Sequence, residues 1–355
     1  MSKDRHGNFF EDFELGMRLR HPTPRTLTEG DRSLYVALTG SRDALSSAET
    51  TAQRVGLPRR PLESLLVFNT AFGKTVPDIS LNAVANLGYA DMRFLAPVFS
   101  DDTLAVESEV IGLRENSNRQ SGVVYVCSTA ARQTGEAVLS WVRWVMVHKR
   151  RADAAVAPAS VPALVDSVEP ARLAVSQYGA DVSRIVEATG VADLWDDYQT
   201  GERIDHLSGM TVNDSDHSLA TRLYQNTAKA HFDGHRMAAT PSGQRLVYGG
   251  HVMSICRALS YDGLENVLSI LAINGGTHVA PTYAGDTLYC ATMVLDKHEL
   301  SNPFVGALRL RMIGAKNVEQ VAAIAFPGTL QNRPKHADGV VLDLDYTVAI
   351  PRRTH

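Results

Sequence analysis

The strongest constraint on this chain is that it is written twice. Phe13-Glu14-Leu15-Gly16 is echoed by Tyr198-Gln199-Thr200-Gly201, a displacement of 185 residues. In the same register Thr26 meets Thr211, Glu29 meets Asp214, Asp31 meets Asp216 and Leu34 meets Leu219. Farther on, the stretch from Pro97 to Leu104 (PVFSDDTL) meets that from Pro281 to Leu288 (PTYAGDTL) at a displacement of 184, the drift that one loop deletion produces. A unit this long exceeds a solenoid repeat, so the pattern marks a duplicated domain.

Each copy follows one plan. An opening turn leads through a short strand-like segment to an Asp-rich helix start, Thr28 to Asp31 in one half and Asn213 to Asp216 in the other. Such side chains accept hydrogen bonds from the free N–H groups of a first turn. A polar loop follows, then a longer apolar helix, Leu65 to Phe72 or Val252 to Leu259. Val252, Ile255, Cys256 and Leu259 have the spacing of one buried face. Period-two runs then predict antiparallel strands at Asp102 to Val110, Val123 to Thr129 and Ala137 to Val147. Their counterparts are Asp286 to Val294, Ala307 to Ile313 and Val318 to Ala325. The fold class is α+β, a sheet curled around a long helix in each half. Residues 1–150 and 171–355 form the two halves, and the Ala-, Val- and Pro-rich stretch 151–170 reads as an extended linker. The charged tail from Arg333 carries a short apolar run at Val340 to Leu344, read as an added edge strand.

The bulk composition excludes several classes. Hydrophobic residues make up 44% of the chain and charged residues 21%, an ordinary globular balance. The net charge of −4 offers no basic field for nucleic acid. The N-terminus lacks the apolar core of a signal peptide, and no apolar run approaches the roughly 18 residues of a membrane span. Three widely separated cysteines, Cys127, Cys256 and Cys290, argue against a disulfide framework and for a reducing, cytoplasmic compartment.

One stretch concentrates polar chemistry. Asn226 and His231 precede a Pro-, Ser- and Gly-rich loop, which ends in Val247-Tyr248-Gly249-Gly250 at the start of the second long helix. A histidine can move a proton, and free N–H groups at a helix start can hold a carbonyl oxygen. Equally, the two glycines can serve only a tight turn. His251 can donate a hydrogen bond or simply be packed, and Tyr248 can be a donor or core. His231 and His235 stand four apart but lack the glutamate of a zinc helix, so no metal is expected.

The stretch from Arg93 to Leu104, its partner around Pro281 to Leu288, and the polar stretch resemble the MaoC-like, or R-specific enoyl-CoA hydratase, family across nearly the whole chain. The resemblance implies a double hotdog, two long central helices wrapped by one continuous antiparallel sheet, and a homodimer. The family signature is Asp, any residue, Asn, Pro, an apolar residue and His, followed later by His-Gly at the central helix. Asn226 to His231 falls on the first part, with asparagine for the family aspartate and Ala228-Lys229 for Asn-Pro. Tyr248 and Gly249 fall on the second. In the first half the same register gives Ser41 to Ser46 and Pro61 to Ser64, without the histidine or the glycine. One working site per chain is therefore implied, with His231 as the base that activates water, Asn226 orienting it and Gly249 holding the thioester oxygen. Tyr248, Gly250 and His251 would line the substrate.

The resemblance further implies a branch that adds water reversibly, in the syn sense, to a branched four-carbon unsaturated dicarboxylyl-CoA in acyl-CoA carbon assimilation. The thioester already activates the double bond, so no cofactor is required. Arg236 or Arg245 could meet the far carboxylate, or could be ordinary surface cations. Asp233, Asp43, Glu63 or the substrate's own carboxylate could replace the missing aspartate. Two other functions remain open: a hotdog thioesterase, for which Glu63 is the one candidate carboxylate, and a non-catalytic acyl-CoA-binding protein.

Overall fold

The computed structural model of the protein describes residues 7–326 and 336–353. Ten strands form one antiparallel sheet: β1 (Arg18–Thr26), β2 (Ala83–Phe94), β3 (Thr103–Glu115), β4 (Ser121–Ala131), β5 (Ala137–His148), β6 (Arg203–Thr211), β7 (Ser269–His278), β8 (Thr287–Glu299), β9 (Val305–Lys316) and β10 (Val340–Pro351). Their order is β1-β3-β4-β5-β2-β7-β10-β9-β8-β6. The two copies are therefore mirrored in order about a seam where β2 pairs with β7, Tyr89 opposite Gly276 and Met92 opposite Ile273.

Two central helices, Ser64–Thr75 and Gly249–Leu259, lie in the curl of this sheet. Leu66, Phe68, Val252 and Ile255 share one core with Val106, Trp141, Leu310 and Tyr346 from the strands. Each central helix is preceded by an amphipathic helix, Glu29–Thr39 or Asp214–Leu223. Thr28 caps the first of these reciprocally with Asp31, and Gly40 ends it in the left-handed region at φ 68°. This is the double hotdog architecture that the repeat and the resemblance led to.

Two strand expectations need correction. Val318 to Ala325 is not a strand; it holds a single turn of 3-10 helix at Val321–Ala323. The fifth strand of the second half is β10, and it lies between β7 and β9 rather than at an edge. All twelve of its residues are buried. Its acids mislead because they are neutralised across the ladder: Asp343 is paired with Arg311 (2.7 Å) and Asp345 with Arg309 (2.6 Å). Residues 333–335 and 354–355 of the expected tail, like the first six residues of the N-terminus, lie outside the described residues. The stretch 151–170 carries no helix or strand beyond one bridge, Leu113 to Ser160, and the 3-10 turn Pro170–Arg172 that begins at its last residue. Among the described residues, no helix is long and apolar enough to cross a membrane.

The central helices approach their surroundings at glycines. A Cβ on Gly73 would lie 1.9 Å from the carbonyl oxygen of Tyr224, and one on Gly250 would lie 2.0 Å from Oδ1 of Asn69. Neither contact has a flexible side-chain end that could retreat without backbone movement or loss of the Asn69 bridge. Gly73→Ala is expected to cost ~2–3 kcal/mol or more as overpacking. The check is urea unfolding, with a lower midpoint at unchanged m-value. Gly179→Ala, where an added Cβ meets nothing within 4 Å, should leave the midpoint nearly unmoved.

Candidate active site

The start of the second central helix is held from both sides. Leu246 N–H donates to Ala230 O (2.9 Å), and Val247 N–H donates to Thr282 O (2.9 Å). Tyr248 is the N-cap residue, with extended backbone and no capping side-chain bond. The N–H groups of Gly249 and Gly250 have no acceptor among the described residues, as expected of a first helical turn. Neither glycine has positive φ, so turn flexibility does not explain them. Close approach does: a Cβ on Gly249 would stand 2.6 Å from the His278 ring.

Asn226 shapes the loop that carries His231. Its backbone N–H donates to Thr221 O, and its Oδ1 accepts from Ala228 N–H, both at 3.0 Å. The next turn, Lys229–Phe232, presents His231. Nδ1 of His231 donates to the carbonyl of Leu246 (2.8 Å). A carbonyl can only accept, so the proton sits on Nδ1 and Nε2 keeps its lone pair. The residue is half-buried, but its imidazole is enclosed and packs on Tyr248 with ring centres 5.6 Å apart. Burial lowers its pKa to about 4, so it is a neutral base at pH 7.

A further histidine faces this group. His278 ends β7, and its Nε2 lies 3.4 Å from the Tyr89 hydroxyl of β2, across the seam. Burial first, and His231 second, hold its pKa at about 4. The sequence reading did not single out His278 or Tyr89. A signal was present: where the first copy reads Phe94-Leu95-Ala96-Pro97, the second reads His278-Val279-Ala280-Pro281. The site therefore draws on both halves of the chain.

The remaining candidates are placed as follows. His251 is fully buried, neither ring nitrogen has a partner among the described residues, and burial lowers its pKa to about 4. The Tyr248 hydroxyl is also buried without a partner among the described residues. Asp233 accepts from Arg236 N–H (3.0 Å), capping a short turn on which Arg236 is exposed. Arg245 is bonded to Asp214 (2.6 Å) and to the Ser218 hydroxyl (3.0 Å). Asp43 and Glu63 stand together in another cleft, at the start of the first central helix, whose lining includes neither His231 nor Tyr248. There the Ser41 hydroxyl donates to Glu63 (2.8 Å), and burial, then Asp43, push Glu63 up to about 8. In the register of the repeat Ser41, Ser46, Glu63 and Ser64 occupy the places of Asn226, His231, Tyr248 and Gly249.

The sequence profile described as mesaconyl-CoA hydratase matches residues 2–323. The chain belongs to the mesaconyl-CoA hydratase family. It is 49% identical to a mesaconyl-CoA hydratase of Cereibacter sphaeroides over 99% of this chain and 100% of that one. It is 48% identical to a beta-methylmalyl-CoA dehydratase of Chloroflexus aurantiacus over 99% of both chains. The solved structure of a MaoC domain protein from Chloroflexus aurantiacus superposes with a TM-score of 0.93 at 48% identity, covering 100% of each chain. The whole mesaconyl-CoA hydratase scaffold, both halves included, is therefore present here.

The buried neutral histidines make stability depend on pH. Their folded pKa of about 4 lies below the ordinary 6.5, so the unfolded chain takes up protons first. Their contribution is complete above about pH 6.5 and is lost as the pH falls through about 4. Urea midpoints measured from pH 7.5 to 4 should fall across that window. The fall should be shallower in His251→Gln, whatever that variant's absolute stability.

Proposed function

We propose that this chain adds water reversibly to mesaconyl-CoA, giving β-methylmalyl-CoA, with His231 as the base. The near half-identity to both named relatives over their whole length carries the reading. The tautomer of His231, set by the Leu246 carbonyl, supports its role.

In this reaction Nε2 of His231 takes a proton from water as the oxygen bonds to the β-carbon of the enoyl thioester. Electron density moves through the double bond onto the thioester oxygen, where the free N–H groups of Gly249 and Gly250 meet it. Burial makes the resulting imidazolium a strong acid. It returns its proton to the α-carbon on the same face, which gives syn addition. Asn226, its Oδ1 committed to the loop, orients the water through its amide N–H groups. The His278–Tyr89 pair stands in the role that a carboxylate has elsewhere, holding the water by hydrogen bonds. The reverse sequence removes water.

In the same reading residues 1–150 form a half whose own site has lost its histidine, 151–170 the tether, and 171–355 the half that supplies most of the catalytic groups. The three thiols, unpaired in disulfides, fit a cytoplasmic location. The unpaired outer edges of β1 and β6, with Leu207 exposed on the latter, fit assembly as a homodimer.

The test is incubation with mesaconyl-CoA while following the conjugated thioester absorbance and free thiol together. Loss of absorbance without thiol is expected. Thiol release would instead mark a thioesterase, and no change a binding protein. His231→Gln should fold normally and lose ~100- to 10,000-fold in kcat. Near-full turnover by that variant would remove His231 from the mechanism.

A further inference from the structure

Arg143 on β5 is fully buried, yet no carboxylate of the described residues pairs with it. One Nη donates to the Thr75 hydroxyl (2.8 Å), and the Ser80 hydroxyl lies at 3.4 Å. Nε has no hydrogen-bond partner among the described residues. The guanidinium lies over the Phe72 ring, 4.3 Å from its centre. Burial lowers its pKa to about 10, and the titratable groups beside it, Tyr89 and Tyr248, are phenols that burial keeps neutral at pH 7. A guanidinium at that value is still charged at pH 7. A buried cation without a counter-ion is costly.

The fold does not demand this cation. Arg143 stands opposite Tyr89 in the β2–β5 ladder. The repeat carries Tyr89 onto Ile273, and opposite Ile273 in the second half is Tyr346, an uncharged residue. The same packing position is filled there without an ion.

It lies directly behind the proposed site. Phe72, which carries the guanidinium on its face, meets Tyr248 with ring centres 5.7 Å apart, and Tyr248 directly precedes Gly249. Tyr89, its cross-strand neighbour, reaches His278. Arg143 is thus one aromatic ring behind the groups that would hold the thioester oxygen and the water. The unpartnered Tyr248 hydroxyl is a second buried donor on that side.

We propose that Arg143, with the Tyr248 hydroxyl, receives the carboxylate at the far end of the acyl group, and so makes the site selective for dicarboxylyl thioesters. The proposal rests on the hydratase reading above. Arg143 is buried without an acid beside it, whereas Arg236 is exposed to solvent and Arg245 is bound to Asp214. A guanidinium presents a planar fork of donors that matches a carboxylate. Its charge also bears on the chemistry, because in this substrate the carboxylate sits on the carbon that water attacks. Neutralising it removes the repulsion that an incoming oxygen would meet.

The test compares mesaconyl-CoA with (E)-2-methylcrotonyl-CoA, in which a methyl group replaces the far carboxylate. Arg143→Gln should lose about 100-fold or more in kcat/KM for mesaconyl-CoA, and keep whatever activity the wild type has on the methyl analogue. Arg143→Lys should recover part of the loss. Arg143→Met should melt no lower than wild type, since an uncompensated charge has been removed. Binding of methylsuccinyl-CoA against 2-methylbutyryl-CoA, read by calorimetry, gives the same comparison without turnover. A wild-type preference for the dicarboxylyl ligand that vanishes in Arg143→Gln supports the assignment even if hydration itself fails. Equal losses on both acyl groups, an unchanged preference, or a large fall in melting temperature for Arg143→Met would overturn it.

Discussion

The geometry of the candidate site depends on one contact between the two central helices. The amide of Asn69, in the first helix, donates to the Gly250 carbonyl (3.1 Å) and to the Ser254 hydroxyl (3.0 Å) of the second. Only a glycine at 250 leaves room for the Asn69 amide against the second helix. The contact fixes the depth at which the second helix begins, and with it the free N–H groups of Gly249 and Gly250. The His278 ring then rests on the bare Cα of Gly249. A bulkier helix start would displace both the donors and the histidine.

Much of the fold was legible because duplication supplies two readings of every element. Strand periods and helix starts that are faint in one copy gain weight when the other repeats them in register. The failures have a common cause. β10 reads as a polar edge because Asp343 and Asp345 interrupt its apolar run, and the arginines that neutralise them lie about thirty residues upstream on β9. Ionic pairs across a ladder have no local trace, so in the sequence a buried strand reads as an exposed one and Val318 to Ala325 reads as the strand in its place.

The site was legible in its local parts only. Asn226, His231, Tyr248 and Gly249 follow a linear pattern, and the structure brings His231, Tyr248 and the helix start together. His278, Tyr89 and Arg143 come from strands that meet only at or beside the seam. Their proximity follows from which strand of one half pairs with which of the other, and no spacing along the chain encodes that. Asp43 and Glu63 show the converse. Register makes Glu63 the counterpart of Tyr248 and sets Asp43 two residues from Ser41, the counterpart of Asn226, and for that reason they gather at the other helix start.

The seam between β2 and β7 also bears on how such a chain can evolve. In a pair of identical subunits every substitution appears twice, once in each of two equivalent sites. A change that improves one wall must be tolerated by the other. Covalent duplication lifts that constraint. Tyr89 can contribute from the first copy and His278 from the second, while their counterparts Ile273 and Phe94 are free to become apolar.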